Sequence, residues 1–269
     1  MGLGVAHLTA LELAPQALVR QAASAGFSAV GLRLHPAMAG GVAYPLQAGS
    51  AQLRELHSTL LGEGVRVYDV EFVELRPEVQ VGSFAWLLEA AAELGATCLT
   101  VSGDDPLHER LLGNFAGLCE LAQGFGIRVD MEFMRWREIG SLEQALAIVS
   151  QAGQANAGVL VDALHLYRSG GSAQALAAAN PAWLNALQLC DAPLAAPPEA
   201  GIIVEAREGR LPPGQGELPL SELLQVLSPA TALSVEMPMP NLPVAQRLAL
   251  ACGAARQLFK RAQEPRHTV

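Results

Sequence analysis

The chain has 269 residues, of which 17 are basic and 26 are acidic, and its formal net charge is −9. This balance argues against non-specific nucleic-acid binding, which needs a positive surface to displace counterions. The longest uncharged stretch, residues 169–190, includes Gly, Asn, Gln and Pro181, so it does not predict a helix that spans a bilayer. Four cysteines without paired spacing, and an amino terminus without a basic and apolar leader, predict a cytoplasmic protein.

Short apolar runs alternate with longer amphipathic runs along the whole chain, which is the pattern that βα units produce. The amphipathic runs predict helices, and several of them end in Gly, a residue that commonly terminates helices. The predicted strands, in chain order, are Val5–Thr9, Ala29–Leu34, Arg66–Phe72, Thr97–Ser102, Arg128–Phe133, Gly158–Asp162, Leu184–Leu189 and Ala232–Glu236.

Eight βα units without a break in composition predict an α/β fold consisting of a single (β/α)8 TIM barrel. A doubly wound sheet is the alternative, but no GxGxxG motif follows the first strand, which weighs against a dinucleotide-binding sheet. The barrel is predicted to cover residues 1–262, and residues 263–269 are predicted to form a disordered tail.

Two predicted loops are longer than the usual connections of α/β units. They cover residues 35–49 and 192–217, and each follows a strand, at the face where barrel enzymes carry their active sites. We interpret both as candidate lids. Tolerated surface insertions are the alternative for both.

Oxygen-bearing side chains occur late in four consecutive predicted strands. Because neighbouring strand ends converge in a barrel, we expect three carboxylates and one amide oxygen to meet around one point. Three carboxylates that close cannot all stay ionised without a cation, and oxygen ligands suit Mg²⁺ or Mn²⁺. The predicted ligands of this one ion are Glu132, Asp162, Gln188 and Glu236. The alternative for Glu132 is an ion pair with Arg135 or Arg137.

These strand ends carry a resemblance that covers nearly the whole chain. The segments "MEF", "VDALHLYRSGG", "LQLCDA", "SVEMP" and "EAREGRLPPGQGELPL" resemble the xylose isomerase-like TIM-barrel superfamily of sugar phosphate isomerases and epimerases. The resemblance implies the same four metal ligands. Sugar epimerases commonly have His at the position of Gln188. A Gln at this position resembles hydroxypyruvate isomerases and some bacterial 3-dehydroshikimate dehydratases.

The resemblance also implies a reaction, in which a proton leaves the carbon next to a metal-bound carbonyl and an enediolate forms. It implies that Glu132 and Glu236 are bases on opposite faces of the substrate. His165, three residues after Asp162, is predicted to be a catalytic acid or base, and an exposed or backbone-bonded loop histidine is the alternative.

Three further residues are predicted to bind substrate. Arg207 and Arg210 offer planar donors for a carboxylate or phosphate, although a solvated basic spot is the alternative. Glu71, late in the third strand, is predicted to bind substrate hydroxyls, and a structural ion pair is equally compatible with the sequence. Arg33 and Arg135 are left open in the same way.

The resulting hypothesis is a divalent-metal-dependent isomerase or epimerase of a small keto-sugar, hydroxy-ketone or sugar acid. A lyase of the 3-dehydroshikimate dehydratase type is the nearest alternative, and an enzyme similar to endonuclease IV is a remote one because His ligands are few. The expected partner is a small polyhydroxylated molecule, and no nucleic acid or membrane is expected. An anionic substrate and a homo-oligomer are left open.

Overall fold

The computed structural model describes residues 2–263, and within them eight parallel strands form one closed barrel in sequence order. This confirms the predicted α/β fold and single (β/α)8 barrel. The strands are β1 (Leu3–Val5), β2 (Ala29–Arg33), β3 (Arg66–Leu75), β4 (Cys98–Gly103), β5 (Arg128–Glu132), β6 (Ala157–Asp162), β7 (Leu184–Leu189) and β8 (Ala232–Val235).

Helices surround the barrel and follow most of its strands. The α-helices of residues 2–263 are α1 (Pro15–Ala25), α2 (Ala51–Glu63), α3 (Ala85–Glu93), α4 (His108–Gln123), α5 (Leu142–Ala152), α6 (Ala163–Arg168), α7 (Ala173–Ala178), α8 (Ile202–Glu208), α9 (Leu220–Val226) and α10 (Val244–Gln263). None of them is both long enough and apolar enough to cross a membrane.

Local sequence explains several helix boundaries. The Ser50 and Ser141 side chains accept hydrogen bonds from backbone N–H groups in the first turns of α2 and α5, which satisfies donors that the helix leaves unpaired. Gly64 and Gly153 end the same two helices with φ values of 65° and 63°, a left-handed conformation that costs glycine little. These signals place the helices between the strands.

The predicted strand Val5–Thr9 was wrong in its position. The observed strand is Leu3–Val5, and His7–Ala10 forms a 3₁₀ helix. The N–H of Ala6 makes the last ladder-type bond, to the carbonyl of Val235, and the Thr9 hydroxyl then donates to that same carbonyl. A short apolar run does not by itself distinguish a strand from such a turn.

The two long loops differ in structure. Residues 35–49 contain no regular helix or strand, and Tyr44 fixes this segment by donating to the carbonyl of Leu11 at 2.8 Å and stacking on His7. Residues 192–217 contain α8. The predicted tail, 263–269, lies outside the described residues, except for Gln263 at the end of α10.

Candidate functional site

Adjacent strands bring the predicted metal ligands together at the carboxyl end of the barrel. Asp162 is paired with Gln188 in the register of β6 and β7, Glu132 ends β5, and Glu236 directly follows β8. All four side chains are buried. Glu132, Gln188 and Glu236 line a cavity of about 240 Å³. The structure therefore places the four predicted ligands in one region, as strand-end convergence requires.

The ends of β5 and β6 are joined by a tight polar cluster. Glu132, Asp162 and His165 each offer a ligand atom, and these atoms lie within 4.8 Å of one another. Asp162 accepts a hydrogen bond from the N–H of His165 at 3.0 Å and so caps α6. The Nε2 atom of His165 lies 3.8 Å from Oε1 of Glu132, and Trp136 contacts the imidazole edge-on. His165 is buried against the acids rather than exposed.

Arg210 is the cation closest to these acids. Its guanidinium lies 2.5 Å from Oδ2 of Asp162 and 3.0 Å from Oε2 of Glu236. It also donates to the carbonyls of Ala206 and Glu236 at 2.7 and 3.1 Å. Each of its three nitrogens thus has a protein partner. That Arg210 binds an anionic group of the substrate stays a prediction. In the structure its guanidinium pairs with Asp162 and Glu236.

Burial dominates the electrostatics of the site. Burial raises the pKa of Glu132 well above its usual range, and the Glu236 and Asp162 carboxylates raise it further. Burial also raises the pKa of Glu236 to about 7, although Arg210 opposes the shift. For Asp162, burial alone would raise the pKa, but Arg210 and His165 outweigh it and keep the pKa below its usual value. Burial lowers the pKa of His165 to about 4, so its imidazole is neutral near pH 7.

The donor set fits a divalent cation. Oε1 of Gln188 is buried without a hydrogen-bond partner among the described residues, which is costly unless a ligand or water satisfies it. Among the described residues the carboxylate of Glu132 forms no ion pair with an arginine, and Arg135 pairs with Glu199 while Arg137 pairs with Glu74 and Asp104. The alternative of an ion pair between Glu132 and either arginine is therefore not observed. Carboxylate and amide oxygens are ligands that hard cations prefer.

The remaining residues that the sequence offered for substrate binding differ in whether they line the cavity and in whether the protein already pairs them. Glu71 lines the cavity, but its carboxylate accepts from Nε of Arg33 at 2.9 Å and from the N–H of His7 at 3.0 Å. The alternative of a structural ion pair is therefore present at Glu71. Arg207 is exposed on α8 and lines the cavity, whereas Arg135 does not line it.

Sequence reasoning did not assign a functional role to the residues that shape the cavity wall. About half of the lining residues are apolar, and the larger of their side chains are those of Leu8, Leu11, Met38, Phe72, Met134 and Trp136. The sequence indicated a place near the site for two of them, because Met134 and Trp136 closely follow Glu132 in "MEFMRW". Arg137, in the same segment, was considered only as a partner of Glu132.

We expect added Mn²⁺ to stabilise the fold, and to do so more strongly as the pH rises from about 5 to about 8. Glu236 has a folded-state pKa of about 7 against an ordinary value of 4.5. Its protonated form stabilises the metal-free fold at low pH, and this contribution is lost as the pH rises through 7. A bound cation needs the ionised form. Thermal unfolding with and without Mn²⁺ tests this, and an effect independent of pH would contradict it. Glu236→Gln should flatten the dependence.

Comparison with known proteins identifies a family that matches most of this chain. A model for the family described as "Xylose isomerase-like TIM barrel" matches residues 19–258. A curated 3-dehydroshikimate dehydratase of Pseudomonas aeruginosa is 30% identical over 143 residues, which make up 52% of this chain and 22% of that protein. The match therefore spans about a fifth of that relative.

Two solved structures illustrate the likeness in fold. The crystal structure of the IOLI protein with a bound zinc atom has a TM-score of 0.80 and 18% identity, and the match covers 98% of this chain and all of that one. The structure of D-psicose 3-epimerase in the presence of D-fructose has a TM-score of 0.73 and 17% identity, with 97% and 98% covered. At these identities the likeness concerns the fold alone.

Proposed function

This chain belongs to the xylose isomerase-like TIM barrel family, and from that premise we propose that it is a divalent-metal-dependent enzyme that removes a proton from the carbon next to a substrate carbonyl. The observation that carries the proposal is the cluster of buried oxygens at the ends of β5–β8. Within the part of the chain that the structure describes, Oε1 of Gln188 has no hydrogen-bond partner and Glu132 forms no ion pair with an arginine. Mg²⁺ and Mn²⁺ are the proposed ions because the four predicted ligands are oxygen donors.

The bound ion would polarise the substrate carbonyl as a Lewis acid, a contribution of several kcal/mol. Glu132 is the proposed base, since burial and the neighbouring acids raise its pKa and so strengthen it as a proton acceptor. His165 is proposed to hold or return the proton, because its Nε2 atom faces Oε1 of Glu132 at 3.8 Å. Arg210 orients Asp162 and Glu236 by its two ion pairs.

Dehydration of a cyclic β-hydroxy ketone is the reaction we favour. In such a step the base takes the proton next to the carbonyl, a carbon–carbon double bond forms, and the β-hydroxyl leaves as water. The cavity wall supports this choice, because the apolar part of its lining, which includes Phe72 and Trp136, suits a ring with few hydroxyls. The dehydratase of Pseudomonas aeruginosa, 30% identical over 143 residues, supports it as well.

Isomerisation or epimerisation of a small keto compound is the second candidate. The observation in its favour is that Glu132 and Glu236 both line the same cavity from different strands. Two such carboxylates could remove a proton from one face of a carbon and return one to the other. This reaction conserves the mass of the substrate, whereas dehydration lowers it by one water.

Incubation of the metal-loaded protein with 3-dehydroshikimate, D-fructose and hydroxypyruvate separates the two candidates. Dehydration should give a product lighter by one water with a new ultraviolet absorbance, and it should stop when a chelator removes the metal. An isomer of unchanged mass would support the second candidate. Turnover that persists after complete removal of divalent metal would contradict both proposals.

A further inference from the structure

Two arginines at the cavity form no ion pair with Glu132, Asp162 or Glu236 among the described residues. Arg137 follows β5 and lines the cavity with a side chain that is 9% exposed. Arg207 lines it from α8, and no hydrogen bond or ion pair from its side chain to a residue of 2–263 is seen. Burial lowers the pKa of Arg137, and the charge of Arg207 lowers it further. The two guanidinium groups are therefore close enough to repel each other.

One edge of the Arg137 guanidinium is not used in its two ion pairs. Its contacts with Glu74 and Asp104 are both made through Nη1, and the contact with Asp104 measures 2.7 Å. The buried Nε atom has no hydrogen-bond partner among the described residues. The Nε–Nη2 edge of a guanidinium offers two parallel donors that match the two oxygens of a carboxylate.

The two remaining arginines of the cavity are paired with acids that line or adjoin it. Arg33 is paired with Glu71, and Arg210 with Asp162 and Glu236. A negatively charged group that entered the cavity would therefore find its unfilled donors at Arg137 and Arg207. Adding such a group would also relieve the repulsion between these two arginines.

We propose that Arg137 and Arg207 form a clamp for the carboxylate of the substrate, which rests on the function proposed above. The substrate class is then a small carboxylic acid whose carbonyl end reaches the Glu132 cluster and whose middle packs on the apolar wall. A cavity of about 240 Å³ lies below the roughly 300–1,000 Å³ of drug-sized sites, which suits a molecule of this size. Specificity for the anion is assigned to Arg137 and Arg207, and Arg210 holds the acids.

Calorimetric titration of the Mn²⁺-loaded protein with 3,4-dihydroxybenzoate and with catechol tests the clamp. Both probes carry the same pair of vicinal oxygens, and only the first carries a carboxylate. The parent protein should bind the acid more tightly by roughly tenfold to a hundredfold, as charge-assisted hydrogen bonds contribute about that much. Arg207→Met and Arg137→Met should each bring this ratio towards one and leave catechol affinity unchanged.

Arg135→Met is the matched control, because Arg135 carries the same charge two residues from Arg137, pairs with exposed Glu199 and does not line the cavity. Its ratio should stay at the parent value. Equal affinity of the parent for the two probes would overturn the clamp, and so would an equal loss in Arg135→Met. Arg207 is exposed, so its variant keeps the test informative if Arg137→Met fails to fold.

The same titration separates the clamp from the proposed function. Catechol binding that does not depend on Mn²⁺ would contradict the proposed metal centre. A preference for the acid that disappears in both arginine variants would support the clamp even then, because this ratio compares the two probes in the same protein.

Discussion

Glu132→Gln should lower metal-dependent turnover by roughly a hundredfold to ten-thousandfold, the range that a positioned base contributes. The substitution keeps the shape of the side chain and removes both its basicity and its charge. Because Glu132 is also a predicted ligand, the variant should lose much of the thermal stabilisation that Mn²⁺ gives the parent. Steady-state rates on the identified substrate and thermal unfolding with added Mn²⁺ measure the two effects.

Glu138→Gln is a suitable control because this glutamate is exposed and lies six residues further along the chain. It should match the parent in both measurements. If Glu132→Gln kept the parental rate and the full response to Mn²⁺, Glu132 would be neither base nor ligand. A full response to Mn²⁺ with a lost rate would restrict Glu132 to the role of base.

Arg210→Met should destabilise the metal-free protein by about 3–5 kcal/mol, the cost of removing one partner from a buried ion pair. Arg210 is 2% exposed and sits between Asp162 and Glu236, so its loss leaves two acids without their cation. Urea unfolding of the chelator-treated protein measures this change. Added Mn²⁺ should restore more stability in the variant than in the parent, since the ion replaces the lost positive charge.

Arg207→Met serves as the control, because this arginine lies three residues earlier and is exposed. Its free energy of unfolding should stay within about 0.5 kcal/mol of the parent, as is usual for surface positions. A change of less than about 1 kcal/mol in Arg210→Met would show that its ion pairs contribute little. The account of Arg210 as the residue that holds the acids would then be withdrawn.

Much of the fold could be predicted because it depends on local pattern. The strands containing Glu132, Asp162 and Gln188 were placed within one residue at each end, since short apolar runs bounded by polar turns identify buried parallel strands. The first strand was misplaced because its continuation, His7–Ala10, is a 3₁₀ helix tied to Val235. That partner is more than 200 residues away in sequence.

The candidate site, too, could be predicted from the sequence only in part. Membership of Glu132, Asp162, Gln188 and Glu236 in one region follows from the sequence, because strand order and the parallel barrel bring consecutive strand ends together. The partner that each charged side chain contacts did not follow from the sequence. The sequence was equally compatible with Glu71 binding substrate or pairing with Arg33, and the observed contact joins residues 38 positions apart.

The sequence by itself determined the barrel, its eight strands in order, and the set of oxygen side chains at the carboxyl ends of the last four. Only the tertiary structure decided which arginine pairs with the predicted metal ligands and which has a donor that no described residue pairs with. Arg210 lies between Asp162 and Glu236, whereas the Nε atom of Arg137 has no hydrogen-bond partner within residues 2–263. The physical reason is that strand periodicity is a local property, but the pairing of a flexible charged side chain depends on distances of a few ångströms between elements far apart in sequence.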